Sequence, residues 1–435
     1  MKVPFMKYTR LIFLLLLTTI IVVFSACQGK EQADTPIYYA TSPVADGNAE
    51  EDTILRDPTK VGDPEDYAPL TEETEPDDTT EPPVTEAPIP KETRLSFVAF
   101  GDNVIHGAVM EDGKRYAKDG EEYNFSHIYA NVRDVIADAD VAFINQETPT
   151  GGKALGYTGY PNFNGPQEMG DTLVDIGFDI VCIGTNHLAD YRDKGMKGTL
   201  DYWDTKPVTM IGGYRSMEDY NTVRVHEVNG VKIALLSYTY GTNGMSVSKE
   251  SGLVIPYINE TDIRRQTAKA KELGDIVVVN MHWGTDSSFT LDATQKKYAK
   301  ILAECGVDVV IGEHPHVLQP IEWVEGANGH KMLLTYSIGN FVSTMLYDTC
   351  MVGGMLSFDI VKTADDTYVE NVLLVPTVTH YDMNRSNISV YFMEDYTEQL
   401  ANAHGCNLNA RTSLSKMKGY VTKNIDAEFL PDFLK

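Results

Sequence analysis

Residues 307–319 read VDVVIGEHPHVLQ. The β-branched Val307, Val309, Val310 and Ile311 favour a strand, and the apolar run stops at Gly312. Glu313, His314, Pro315 and His316 follow at once, so two imidazoles and a carboxylate stand where a strand leaves the core. One such ending decides little, because a single histidine after a strand is commonly a satisfied boundary residue. Its repetition along the chain decides the fold.

LSFVAF (95–100) is followed by Gly101-Asp102-Asn103, and VAFI (141–144) by Asn145-Gln146-Glu147. IVCIG (180–184) leads to Thr185-Asn186-His187, VVVNM (277–281) to His282-Trp283-Gly284, and LLTYSIG (333–339) to Asn340-Phe341. Between these runs lie helical patterns near 125–138, 170–176, 195–204, 261–273 and 292–304, and the MLLTYSIGN stretch reads as one further strand. TVRVHEVNGVKIALLSYTY (222–240) alternates and turns at Asn229-Gly230, a hairpin signal. Strands alternating with helices, with some antiparallel hairpins, predict an α/β fold of layered sheets with helices against them. In open α/β sheets ligands bind beyond the carboxyl ends of the strands. The polar endings are therefore expected to converge on one edge, although they are spread over more than two hundred positions.

The mixture at those endings is carboxylate, amide oxygen and imidazole. That donor set suits Mn, Fe or Zn better than Ca or Mg, and such an ion lowers the pKa of a bound water towards about 7. Pro315 is expected to stiffen the turn so that both flanking imidazoles face one point.

The ends of the chain carry different information. Lys2, Lys7 and Arg10 precede the uncharged run LIFLLLLTTIIVVFSAC, which reads as the basic and apolar parts of a secretory signal. It closes on Phe24-Ser25-Ala26-Cys27, resembling a bacterial lipobox with Phe24 where leucine is usual. Residues 1–27 are therefore expected to be a lipoprotein signal with Cys27 as the lipidated residue; an uncleaved anchor helix is the alternative. Either places the folded part outside the cytoplasmic membrane. Residues 28–93 hold 18 acidic against 4 basic residues and ten prolines. This acidic, Pro/Thr/Glu-rich segment cannot bury enough surface to offset its ordering entropy, and reads as a disordered stalk. The folded domain is expected over 94–380, and 381–435 as a helical and loop extension. A net charge of −27 excludes nucleic acid as a partner, since phosphate backbones need a basic face.

The motifs GDNVIHG, INQETP, GTNHLADYRDKGMKGTLDYW, NMHWGTD, GVDVVIGEHPHVLQPIEW and TYSIGNFV resemble, in this order, those of the CapA (PgsA-like) capsule synthesis family. That family is associated with poly-γ-glutamate capsules and is similar in turn to the calcineurin-like metallophosphoesterases. The resemblance runs from about Leu95 to about Val378. It implies a four-layer α/β/β/α sandwich of the metallophosphoesterase type. It further implies metal ligands at Asp102, Glu147, Asn186, His282, His314 and His316, with Glu147 in the place of a bridging aspartate. His187 is implied as proton donor or phosphate contact, with Asp190 orienting it. The sequence departs from the phosphoesterase pattern where a second histidine is usual: Val104 stands two residues after Asp102, and His106 four residues after it. One or two divalent ions are therefore implied.

Three functions fit these features. The first is a surface lipoprotein in synthesis, export or attachment of an anionic polymer, working with membrane-bound partners. The second is a stand-alone metallohydrolase acting on phosphoesters or amide-linked polymer, and the third a binding module without turnover. The remaining residues read more simply. His127, His226, His330, His380 and His404 are expected to be structural or on the surface. Cys182 and Cys305 read as buried thiols, and no spacing among Cys182, Cys305, Cys350 and Cys406 specifies a disulfide. Trp323 reads as wall or core, Trp283 as wall, core or substrate contact, and Tyr238 and Tyr240 as cleft or core.

Overall fold

The computed structural model describes residues 92–408 and 411–435. The expectations for 1–27, with Cys27, and for almost all of 28–93 fall outside the described residues. The first sheet is built from β1 (Glu92–Asn103), β2 (Val141–Asn145), β3 (Ile180–Cys182) and β4 (Thr209–Ile211), all parallel neighbours. A second group of strands is β5 (Arg224–Val228), β6 (Val231–Thr239), β7 (Ile276–His282), β8 (Val309–Glu313), β9 (Ile321–Glu325) and β10 (Lys331–Thr335). The short β11 (Asn340–Val342) returns to β1, and β12 (Val352–Thr363), β13 (Thr367–His380) and β14 (Ser389–Phe392) extend the first sheet in antiparallel fashion. The orders are β14-β13-β12-β1-β2-β3-β4 and β5-β6-β7-β8-β10-β9.

Period-two alternation explains how the sheets stack. Ile233, Leu235, Val278, Ile311 and Leu333 of the second sheet belong to the core shared with the first sheet. Their neighbours Ala234, Leu236, Val277, Val279, Val310 and Leu334 form a separate core on the opposite face. That outer core is closed by Ile263 and Ala270 of one helix (Glu260–Leu273) and Ala299 and Leu302 of another (Ala293–Cys305). Helices over Gln167–Asp175 and Arg192–Trp203 follow strands β2 and β3 and contribute Met169, Leu173, Met196, Leu200 and Trp203 to the core of the first sheet. Right-handed crossovers put such helices on one face of a parallel sheet, and the other face is taken by the second sheet. The layers run helix, sheet, sheet, helix. Contact between sheets is direct: Cys182 Sγ lies 3.2 Å from Ser237 Oγ and 3.2 Å from Asn280 Oδ1.

The hairpin turns where its sequence requires, with Asn229 at φ +49° and Gly230 at φ +78°, the left-handed pair of a tight hairpin. Other expectations are corrected. MLLTYSIGN is two strands, not one: β10 lies in the second sheet and β11 pairs with β1 in the first. The chain crosses over at Tyr336–Gly339, where Gly339 takes φ +70° and an added Cβ would sit 3.1 Å from Gly353 Cα. β1 begins at Glu92, two residues before the expected boundary, and the segment after 380 supplies strand β14 as well as helices. Trp323 is 37% exposed rather than part of the core. Cys305 is only half-buried, and the four cysteines at 182, 305, 350 and 406 are free thiols. Among the described residues no helix is long and apolar enough to cross a membrane.

Candidate metal centre

Parallel register aligns the polar endings. Asp102 is paired with both Asn145 and Asn340, Asn145 with Cys182, and His282 with Glu313. Strands that run in one direction and in register end at one edge, which is why residues so distant in sequence meet here.

Two triads result. Ligand atoms of Glu147, His282 and His314 lie within 4.8 Å of one another, and so do those of Asp102, Glu147 and His316. Glu147 belongs to both. Asn186 Oδ1 adds to the first, 3.0 Å from His282 Nε2. Around the second, His316 Nδ1 lies 3.0 Å from Asp102 Oδ2 and 2.9 Å from Asn340 Oδ1. Asn145 Nδ2 donates to the other Asp102 oxygen at 2.7 Å and fixes that carboxylate. His314 and His316 reach Glu147 from a turn in which both have positive φ, +96° and +58°. Non-glycine residues held there cost about 1–3 kcal/mol each, so the packing around Pro315 imposes this turn.

His187 stands beside the triads. Its Nδ1–H donates to Asp190 Oδ2 at 2.7 Å, and its Nε2 is 3.9 Å from Glu147 Oε1. Asp190 Oδ2 also accepts the backbone N–H of Phe163 at 2.6 Å. The Phe163 ring packs edge-on against His187, with centroids 4.6 Å apart. Tyr240 covers His314 from the other side, with ring centroids 4.6 Å apart. The cluster floors a cavity of about 670 Å³, lined also by Asn162, Asn243, Asp286 and Met345.

The electrostatics call for a cation. Among the described residues, both oxygens of buried Glu147 and the Nδ1 of His314 have no hydrogen-bond partner, and unpartnered buried polar atoms are costly and rare. Burial, with Asp102 and Asp286 adding negative charge, pushes the Glu147 carboxyl well above its usual range. Burial pulls His316 down, but the charges of Glu147 and Asp102 outweigh it and hold that imidazole well above its usual value. Burial and neighbouring imidazoles keep His282 and His314 well below theirs. Two neutral imidazoles, two carboxylates and an amide oxygen around unpartnered oxygens fit a divalent transition ion.

Of the residues singled out from sequence, Asp102, Glu147, Asn186, His187, Asp190, His282, His314 and His316 all come together here. His106 joins neither triad, and Val104 is buried. Trp283 makes no contact with the cavity; it is fully buried in the outer core, with its indole N–H on Tyr336 O at 3.0 Å. Tyr238 is buried against Gln266 inside β6, whereas Tyr240 stands just past the end of that strand, where the chain turns it to line the cavity. Sequence reasoning placed Glu313 at a strand ending but gave it no role in the site; its two buried carboxylate oxygens have no partner among the described residues, and burial above all raises its pKa. That reasoning missed Phe163 and Asn162, which sit in a loop with no periodic signal. Asn145 and Asn340 were visible as strand endings, but not as the groups that orient Asp102 and His316.

Comparison with known proteins places this arrangement. Residues 96–345, more than half of the chain, match the family described as Bacterial capsule synthesis protein PGA_cap. The chain is 29% identical over 257 residues to the PGA biosynthesis protein CapA of Bacillus subtilis (strain 168), covering 56% of this chain and 64% of that protein. It is 28% identical over 259 residues to the capsule biosynthesis protein CapA of Bacillus anthracis, covering 57% and 60%. The match thus spans less than two thirds of either relative's own length. Among solved structures, a novel phosphatase of Mycoplasma pneumoniae aligns with TM-score 0.41 and 12% identity, over 66% of this chain and 94% of that one. A 5'-nucleotidase precursor of Thermus thermophilus aligns with TM-score 0.39 and 12% identity, over 65% and 55%. On the extent of the family match, with its motifs standing at the strand ends that build the site, the chain belongs to the bacterial capsule synthesis protein family PGA_cap.

Proposed function

We propose that this protein is an extracytoplasmic lipoprotein that serves the synthesis, export or attachment of a capsular anionic polymer of the poly-γ-glutamate type through a metal-dependent hydrolytic centre. The observation that carries the proposal is Glu147 shared between two ligand triads on the floor of an open cavity, with the His187–Asp190 pair at its side. The roles named for the two Bacillus relatives support the polymer; the basic and apolar N-terminus ending at Cys27 supports the anchor.

Asp102, Glu147, Asn186, His282, His314 and His316 would hold one or two ions of Mn, Fe or Zn. When bound, such an ion supplies Lewis acidity and an acidified water. The chain's own residues do the rest. Asp190 fixes the His187 ring by accepting its Nδ1–H, which leaves Nε2 towards the cavity, where it can pass a proton to a leaving oxygen or nitrogen. Phe163 keeps that ring from turning. Tyr240 and Met345 line the same cavity.

The test is elemental analysis of the purified full-length protein, followed by incubation of the metal-loaded form with poly-γ-glutamate and with bis(p-nitrophenyl) phosphate. Metal with cleavage of the polymer supports the proposal. Cleavage of the phosphodiester alone favours a stand-alone phosphoesterase, and bound metal with neither activity favours a binding role. A wild-type protein that retains no transition metal rejects the hydrolytic centre.

A further inference from the structure

His106 is not a ligand, yet it has the geometry of a working residue. It precedes the helix Gly107–Arg115, and its Nδ1 accepts the backbone N–H of Thr344 at 3.3 Å. A neutral imidazole whose Nδ1 accepts carries its proton on Nε2. Among the described residues no protein group partners that Nε2, and His106 lines the cavity together with Glu147 and His187. Burial, followed by the charges of His316 and Arg385, lowers its pKa to about 3, so the ring stays neutral.

His404 shows what a purely structural histidine looks like in this fold. It is fully buried, its Nε2 donates to Thr379 O at 2.9 Å, and its Nδ1 accepts Cys406 N–H at 3.1 Å. Both nitrogens are satisfied by backbone. In His106 one nitrogen is tied to backbone and the other has no protein partner among the described residues, on a ring that lines the cavity.

Phe163 fixes the direction. His106 packs edge-on against it at 5.5 Å and 75°, and His187 does so at 4.6 Å and 85°. The two imidazoles therefore flank one immobile ring, 1% exposed, at the wall of one cavity. A donor placed there needs an acceptor. Beside two triads that would hold divalent cations, an anionic oxygen is the favoured one.

We infer that His106 is a substrate-positioning residue whose Nε2–H holds an anionic oxygen of the substrate, phosphoryl or carboxylate, beside the His187 proton donor. This rests on the hydrolytic reading above and deepens it. A hydrogen bond to a charged acceptor contributes about 1.5–3 kcal/mol, so its loss is expected to weaken anion binding at least about tenfold.

The experiment is calorimetric titration of the full-length, metal-loaded protein with inorganic phosphate and, separately, with tri-γ-glutamate. Wild type is compared with His106→Asn and His106→Gln. In the asparagine variant the amide oxygen replaces Nδ1 and keeps the Thr344 contact, but the Nε2 donor is gone. In the glutamine variant the amide nitrogen reaches close to the Nε2 position. The expected result is at least about tenfold weaker binding in His106→Asn, recovery of most of it in His106→Gln, and unchanged metal content and melting temperature in the former. Phosphate as the ligand identifies a phosphoryl oxygen, and tri-γ-glutamate a carboxylate. Equal binding by His106→Asn and wild type overturns the inference alone, as does loss of metal together with the anion. A wild type that holds metal but binds neither anion overturns this inference, while the hydrolytic reading stands or falls on the cleavage assay and the metal content.

Discussion

Asp190 holds His187 through a 2.7 Å hydrogen bond to Nδ1, while the same carboxylate oxygen accepts the Phe163 N–H at 2.6 Å. One oxygen therefore fixes both the imidazole and the loop whose ring packs on it. Removing the imidazole leaves the ligand triads intact. His187→Ala is expected to keep full metal content while turnover falls by about 10²–10⁴, with Asp190→Asn falling less. Elemental analysis beside a rate assay decides it, and loss of metal in His187→Ala would mean that this ring is itself a ligand.

Glu147→Gln should separate metal binding from fold stability. The shared carboxylate disappears from both triads, so metal content should drop towards zero. In the metal-free protein the same change replaces an unpartnered buried carboxyl with a neutral amide, so the melting temperature of the stripped variant should equal or exceed that of stripped wild type. A stripped variant that melts well below wild type would show that the carboxyl supports the fold on its own.

Stripped of metal, the protein should lose stability as pH rises above about 6.5. Glu147, Glu313 and His316 have folded pKa values raised above their usual ones. The native state therefore binds more protons than the unfolded chain there, and stability falls with pH. His282 and His314, with lowered values, act only below about 6.5, where they remove stability as pH falls. Thermal melts in chelator from pH 6.5 to 9 should show the decline, and added metal should flatten it, because metal needs those carboxylates ionised. A flat profile in chelator would contradict the assignment.

Val104→His tests the weaker triad. Val104 lines the cavity two residues after Asp102, where the Asp102 side has three protein ligands among the described residues. A histidine there should raise metal stoichiometry or tighten the more weakly held ion, read by titration with a metal indicator. No change in either would place that side chain out of reach of the ion.

Gly101→Ala should fail for a different reason. An added Cβ would lie 1.8 Å from the carbonyl oxygen of Gly339, a backbone atom that has nowhere to go. The expected loss is about 3 kcal/mol or more, measured by urea denaturation, together with loss of metal because Asp102 is the next residue. Wild-type stability would show that the crossover segment can yield.

The anchor is open to a direct check. Cells given labelled palmitate should label wild type and leave Cys27→Ala unlabelled. Absence of label from wild type would remove the lipoprotein reading without touching the metal centre.

Much of the site was legible because parallel strands place their carboxyl ends together whatever the distance in sequence. GDN, NQE, TNH, MHW and EHPH each announced an ending. What could not be read depends on contacts that no local pattern encodes. Nothing in YPNF (160–163) says that Phe163 separates two imidazoles, because that follows from how a loop folds back over the edge. The break between β10 and β11 was hidden for a related reason. MLLTYSIGN has the apolar continuity of one strand, and only the left-handed Gly339 and its closeness to Gly353 divide it. Glu313 was read as part of a motif, yet its environment depends on Asp102 and Glu147 arriving from the other sheet.

That division bears on how the centre comes into being. Asp102, Glu147 and Asn186 come from the first sheet; His282, His314 and His316 come from the second. Neither half is a chelator worth the name until the two sheets have met, and the crossover at Tyr336–Gly339 is a covalent strap between them at this edge. An ion seated on Glu147 is then a clasp, and its departure a sign that the seam has opened. In hydrogen exchange, the amides along this edge, from His282 and His314 on one side to Asn145 on the other, should slow together when metal is added, while the far edges of both sheets keep their own rates.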